Sequence, residues 1–258
     1  MTKLKSAILV SIALIVVVAT FLFVDPYPQW SEYHDFADDR TFFGIANAHN
    51  VISNLGFLVV GAWGALFVMS QSAEVAVGQK RTFYLIFFIG VFLTGLGSAY
   101  YHYQPGNQTL VWDRLPMTIM FMGFFASVNA ELISVRAGKQ LLVPLLMTGV
   151  ASVLYWAWTE SVNAGDLRLY GLVQFLPIIM IVLMLILYDR PRHYALYILV
   201  SLALLVLAKL CEHFDAEIYR ILGQIGGHAL KHLFSAVATA SIVFMLYRRS
   251  HHGRNYSM

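Results

Sequence analysis

Eight apolar segments, each long enough to cross a lipid bilayer, constrain this chain more than any other feature. They lie at about 5–24, 47–70, 82–102, 113–134, 141–158, 170–188, 194–213 and 226–247. A spanning helix needs roughly 20 predominantly apolar residues. Only 12% of the residues are charged, whereas a soluble protein carries about 25%. The sequence therefore predicts an all-α, multi-pass transmembrane helical bundle with eight spans.

Basic residues are distributed unevenly between the links that join these segments. One alternate set of links contains Lys3, Lys5, Lys80, Arg81, Arg136, Lys139, Arg190, Arg192, Arg248, Arg249 and Arg254, and the other contains Arg40, Arg168 and Arg220. Because Lys and Arg favour the cytoplasmic side of a membrane, this distribution predicts that both termini lie inside. The first outside link is acidic, with Asp25, Glu32, Asp35, Asp38 and Asp39.

These features divide the chain into four expected regions. We predict an N-terminal membrane anchor over 1–24, an acidic outside link over 25–46, a seven-span domain over 47–248 and a basic inside tail over 249–258. Lys3 and Lys5 before an apolar run are also typical of a signal peptide. The length of the run and the lack of a clear small-x-small cleavage site favour an uncleaved anchor.

Three histidines stand at the same predicted depth, near the outer face of the membrane. His102 ends the third segment, and His228 and His232 lie four residues apart at the start of the eighth, so that pair shares one helix face. Ionisable groups inside a membrane are costly and usually functional, and neutral imidazole is a common zinc ligand. We predict a zinc site with an open fourth position. The alternative is histidines satisfied by helix neighbours, or a pair that faces other chains.

Asp113 and Ser98 are predicted at that depth as well. Asp113 could act as a general acid/base beside the metal, or it could be the N-cap of the fourth helix, with Pro116 in the first turn. Ser98 precedes His102 by one turn and could point toward a bound substrate. With Gly95 and Gly97 it could instead allow close helix packing.

Other polar residues near the outer face are predicted to support this site. They are Asn50, Asn54, Lys209 and Glu212. Lys209 and Glu212, at i and i+3, could also simply neutralise one another. His213 is expected at the membrane interface, and His34 and His49 in loops or at the interface.

The ordered motifs resemble those of the alkaline ceramidase family, within a superfamily of membrane hydrolases that includes the progestin/adiponectin-type receptors. The match runs from Asn50-Val-Ile-Ser53-Asn54-Leu through Gly97-Ser98-x3-His102 and Asp113-x-Leu115-Pro116-Met117 to His228-x3-His232. The resemblance implies that His102, His228 and His232 bind zinc and that Ser98 and Asp113 are catalytic. It implies hydrolysis of the amide bond of a ceramide-like membrane lipid, with no nucleic-acid partner.

The chain departs from this family at its N-terminal end. Its first span is additional to the seven of the family. Trp30-Ser-Glu32 is similar to an acidic segment that binds calcium in eukaryotic members, but Asn47 stands where their second Glu would be. This difference argues against a calcium site, despite Asp35, Asp38 and Asp39 nearby.

Two other functional classes fit the same pattern of histidines. A lipid receptor or sensor would bind a lipid without turnover, although a pure binder does not need Asp113. A histidine-ligated haem protein or an ion carrier is the third class. A haem would need axial histidines facing one another across helices, and a carrier would place its charges nearer the membrane midplane.

Overall fold

The computed structural model describes residues 2–254, and the side chains of residues 3–251, as a bundle of helices. The helices are α1 Thr2–Phe23, α2 Ala48–Ile52, α3 Leu55–Met69, α4 Glu74–Val77, α5 Arg81–Tyr103, α6 Asn107–Leu132, α7 Val135–Ser161, α8 Arg168–Leu187, α9 Arg192–His213, α10 Asp215–Leu222 and α11 Gly227–Arg254. Short 3-10 turns occur at Ser31–His34, Gln71–Ala73 and Gly78–Lys80. Within these residues, eight helical segments are long and apolar enough to cross a membrane, which confirms the predicted all-α multi-pass architecture.

The helices pack mainly against their neighbours in the sequence. Helix α5 packs between α3 and α6, α6 also contacts α7 and α8, and α11 packs against α9 and α3. Helix α1 contacts α8 and leaves most of its surface exposed at the edge of the bundle. The first span therefore lies outside a core formed by the remaining seven.

Helix α6 begins earlier than predicted, and this changes the interpretation of Asp113. The helix starts at Asn107, with Gly106 as its N-cap, instead of at 113. Asp113 is thus the seventh helical residue, and Pro116 lies inside the helix. The N-cap alternative for Asp113 is wrong, because apolar content identifies only the lipid-crossing part of a helix, whereas the first turn here is the polar Asn107-Gln108-Thr109.

Other helix boundaries differ from the apolar segments for related reasons. The second predicted span is divided into α2 and α3 by a turn at Ser53 and Asn54. Helix α11 continues to Arg254, so the predicted basic tail over 249–258 is helical in its first part, and its last residues, 255–258, lie outside the described residues. The short amphipathic helix α10 was not predicted, because it is too short and too polar to resemble a span.

A glycine contact determines how closely α5 and α6 approach. A Cβ atom at Gly97 would lie only 1.9 Å from the carbonyl oxygen of Trp112. No other residue type fits there unless the helices separate. Ser98 and Asp113, which follow these two residues in the chain, are therefore brought side by side.

We expect the start of α6 and the start of α7 to be accessible from opposite sides of the membrane. Gln108 and Gln140 are both exposed, and the basic-residue distribution assigns them to the outside and the inside. Gln108→Cys should react with an impermeant maleimide in intact cells, whereas Gln140→Cys should react only after permeabilisation. A Cys211→Ala background removes the one native thiol. Labelling of both from the same side would contradict the eight-span topology.

Candidate metal centre

Three buried imidazoles meet near one end of the bundle. His102 lies in the last turn of α5, and His228 and His232 lie in the first turns of α11. Their side chains are 0%, 4% and 3% exposed, and one ring nitrogen from each lies within 4.8 Å of the others. Among the described residues this is the only such group of three or more His, Cys, Asp or Glu side chains. It could hold a metal ion.

The spacing of two of the ring nitrogens is close to that of two ligands on a tetrahedral metal. Nε2 of His102 and Nε2 of His232 are 3.1 Å apart. Two zinc ligands at about 2.0–2.1 Å from the ion in tetrahedral geometry would be separated by about 3.3 Å. The two rings therefore need only a small shift to share an ion.

His228 has a competing partner at one of its nitrogens. The ammonium of Lys231 donates to Nε2 of His228 at 2.8 Å and also contacts Oε1 of Glu212 at 3.0 Å. For His228 to ligate a metal through Nε2, the ammonium must withdraw from that nitrogen. The Lys231 ammonium could then remain paired with the carboxylate of Glu212.

Ser53 contacts one nitrogen of His232, which also interacts with the backbone of Asn50, and these contacts determine which nitrogen is available. Its hydroxyl donates its single hydrogen to the backbone oxygen of Asn50 at 3.0 Å, so it can only accept a hydrogen bond from Nδ1 of His232 at 2.7 Å. Nδ1 then carries the proton, and the lone pair of Nε2 faces His102. Such outer partners orient metal-ligating histidines in proteins. We did not predict Ser53 as a site residue, although it lies inside the motif that contains Asn50 and Asn54.

The predicted supporting residues Asn50 and Asn54 shape the turn that presents Ser53. The side-chain amide of Asn50 donates to the backbone oxygen of Asp38 at 3.1 Å, and that of Asn54 donates to the backbone oxygen of Asn50 at 2.7 Å. Both residues are fully buried. Their side-chain hydrogen bonds go to backbone groups of the turn and of the acidic link, not to a histidine.

Asp113 and Ser98 form a second polar pair. Both are buried, and the Ser98 hydroxyl is within hydrogen-bonding reach of the Asp113 carboxylate. The charges of Lys231 and Glu212 also act on Asp113. The same two charged side chains contact or adjoin His228, so Asp113 and His228 share an electrostatic environment.

Lys209 and Glu212 are connected to the histidines through a residue that we did not predict. Lys209 pairs with Oε2 of Glu212 at 2.6 Å, and Lys231 pairs with Oε1. Glu212 therefore lies between two ammonium groups, and Lys231 extends the chain of contacts to His228. His213 is exposed and packs edge-on against Phe214.

The acidic link after α1 folds over the histidines. The ring of Phe36 lies 4.7 Å from that of His102 and 4.6 Å from that of His228. Asp215 holds this arrangement, since one carboxylate oxygen accepts from the backbone of Ala37 at 3.0 Å and the other from the backbone of His228 at 2.8 Å. The link therefore shields one side of the site from solvent.

Asp38 fixes the second half of this link. Its carboxylate accepts from Arg40 at 2.8 and 2.9 Å and pairs with Nδ1 of His49 at 2.7 Å. Burial favours the neutral acid, but these hydrogen bonds outweigh it and hold the pKa of Asp38 below its ordinary value. His34 contacts the Tyr101 hydroxyl and Asn107, both at 2.9 Å. His34 within the link and His49 in α2 thus both anchor the link.

No family model and no curated protein matches the chain. The roles of its residues therefore rest on the site geometry and on the motif resemblance.

We expect Ser53→Ala to weaken zinc binding by about 10- to 100-fold, the usual effect of removing an outer partner of a metal-ligating histidine. Zinc affinity of the purified protein, measured by competition with a chelator, tests this. Ser53→Thr keeps the hydroxyl and should bind nearly as well as the parent. Ser127→Ala is a matched control, because Ser127 is also buried but bonds Phe124 in the far half of α6. Equal affinity for Ser53→Ala and Ser127→Ala would contradict the orienting role.

Proposed function

We propose that this protein is a zinc-dependent intramembrane hydrolase that cleaves the amide bond of a ceramide-like lipid. The observation that carries the proposal is the convergence of the three buried imidazoles, together with a buried Asp–Ser pair whose serine lies one helical turn from His102 on α5. A metal ligand set alone suits storage, sensing or catalysis. A neighbouring carboxylate that can exchange a proton favours catalysis.

The histidines and the acid pair would divide the chemistry between them. His102, His228 and His232 would hold the ion, which when bound supplies a Lewis acid for the amide carbonyl and acidifies water. Asp113 would accept a proton from the attacking water and deliver it to the leaving amine. The Ser98 hydroxyl would orient Asp113 or donate to the oxygen on which negative charge develops. The C–N bond breaks, a C–O bond forms, and a fatty acid and an amine leave.

A substrate that resides in the membrane suits the surroundings of the site. Leu96 and Leu233 are 50% and 41% exposed. Leu96 comes two residues before Ser98 in the sequence, and Leu233 directly follows His232. Both side chains lie on the exposed surface of helices that also carry site residues, α5 and α11. Acyl chains could therefore remain in the bilayer while the amide reaches the histidines between the helices.

The packing of the imidazoles also bears on the haem alternative. The three ring pairs have centroid separations of 4.7 to 5.1 Å, and the rings of His102 and His228 meet edge to face. A bis-histidine haem needs a macrocycle between two axial rings, and these rings contact one another directly. The receptor alternative uses the same helices, so activity has to distinguish it from the hydrolase.

We expect Asp113→Asn to lower the rate of amide cleavage by about 10²- to 10⁴-fold, because asparagine keeps the shape of the side chain but cannot accept the proton. Zinc content should stay at the parent level, since the histidines are unchanged. The assay is release of fatty acid from ceramides of varied chain length by the purified, zinc-loaded protein.

Asp166→Asn is the matched control for this experiment. Asp166 is also buried, and it pairs with Arg168 in the link between α7 and α8, outside the histidine site. Its variant should keep full turnover. Full activity of Asp113→Asn would remove its catalytic role. A parent that binds zinc but cleaves none of these lipids would favour the receptor function.

A further inference from the structure

We propose that a cavity at the end of the bundle opposite the histidines binds the phosphate headgroup of an anionic membrane lipid. The cavity lies near the start of α5, whereas His102 lies near its end. Helix α5 has 23 residues, which at 1.5 Å per residue separates its ends by about 33 Å. The two sites are therefore independent, and this inference does not rest on the proposed hydrolase activity.

The cavity has a volume of about 400 Å³ and lies where α4, α6, α9 and α11 come together. It is lined by Val75, Ala76, Lys80, Glu131, Leu132, Asp189, Arg190, Pro191, His193, Tyr194 and Arg249. Three of these side chains are permanent cations and two are carboxylates. Basic pockets between transmembrane helices on the cytoplasmic side are typical sites for anionic headgroups.

Glu131 does not cancel the positive charge of the cavity. Its two carboxylate oxygens are occupied by Lys80 and Arg249, each at 2.7 Å, and the Tyr84 hydroxyl donates to it at 2.8 Å. One carboxylate thus faces two cations, which leaves this cluster with a net positive charge. Glu131 and Asp189 both oppose an anion, but the lining contains three cations, Lys80, Arg190 and Arg249, against these two carboxylates.

Tyr194 provides a hydrogen-bond donor that the protein itself does not use. The residue is 1% exposed, and its hydroxyl has no hydrogen-bond partner among the described residues. A buried hydroxyl without a partner is costly and calls for an explanation. The ring lies under the guanidinium of Arg249 at 4.9 Å, so a phosphate at this guanidinium could accept from both groups.

A second basic groove lies next to the cavity. Its volume is about 480 Å³, and it is lined by Gln79, Val135, Arg136, Lys139 and Gln140, with two cations and no carboxylate. Gln79 lines this groove, and Lys80, the next residue in the chain, lines the cavity. The lipid headgroup would therefore meet a continuous positive surface, which favours a headgroup with a net negative charge over a zwitterionic one.

The test uses the purified full chain in neutral detergent, titrated with short-chain phosphatidylglycerol, phosphatidylcholine or inorganic phosphate. Binding is measured by native mass spectrometry and by the shift in Tm. We expect saturable stabilisation by phosphatidylglycerol, with little effect of phosphatidylcholine. Tyr194→Phe should weaken phosphatidylglycerol binding about tenfold, and Arg190→Gln about fivefold.

Matched variants distinguish a site from general surface charge. Arg192→Gln is the control for Arg190→Gln, because Arg192 is exposed, lies two positions away and does not line the cavity. Tyr197→Phe is the control for Tyr194→Phe, because Tyr197 lies about one turn further along α9 and does not line the cavity. Both should bind like the parent. Tyr194→Phe should keep or raise the lipid-free Tm, because it loses no hydrogen bond within the protein and removes a buried hydroxyl that has no partner there.

Three outcomes would overturn the proposal. One is equal weakening by Arg190→Gln and Arg192→Gln, which would indicate a diffuse surface effect. Another is unchanged lipid affinity in Tyr194→Phe. The third is an equal increase in Tm with inorganic phosphate and with phosphatidylglycerol. The occupant would then be a soluble anion and not a lipid.

Discussion

The close approach of α5 and α6 at Gly97 is the contact on which the candidate site depends most. Because the Trp112 carbonyl occupies the space of a Cβ atom at this position, the two helix backbones touch. The side chains of Ser98 on α5 and Asp113 on α6 can therefore contact each other directly across the helix interface. A similar contact joins the start of α11 to the end of α9, where a Cβ atom at Gly227 would lie 2.0 Å from the carbonyl oxygen of Cys211. It brings His228 close to the end of the helix that carries Glu212.

Burial explains why so much of the chain is involved in holding a few polar groups. A buried polar side chain without a partner loses the hydrogen bonds it had with water. Two of the three histidines therefore have side-chain partners, Ser53 for His232 and Lys231 for His228, and Asp215 accepts from the backbone N–H of His228. Nδ1 of His102 has no partner among the described residues. Asp215 also binds the acidic link. Helix α11 and the link are thus positioned by one carboxylate.

The sequence predicts well those features that depend on local spacing. His228 and His232 share a helix face because they are four residues apart, and His102 matches their depth because its span ends there. The contacts of Ser53 and Phe36 could not be predicted in this way. Ser53 and His232 are 179 positions apart, and only the packing of α2 against α11 brings them together. The start of α6 was misplaced because its polar first turn resembles a loop in an apolarity profile.

Arg114 shows how a residue outside the site can determine where Asp113 points. Neighbouring residues on a helix point about 100° apart, so the two side chains face different parts of the bundle. Arg114 is buried, donates to the side-chain oxygen of Gln29, and lies 4.1 Å from the ring of Trp156 and 4.6 Å from that of Tyr170. A guanidinium held over two aromatic faces is stabilised by cation–π attraction, and rotating α6 would break these contacts. The side of α6 that meets α7 and α8 therefore fixes the side on which the Asp113 carboxylate meets Ser98.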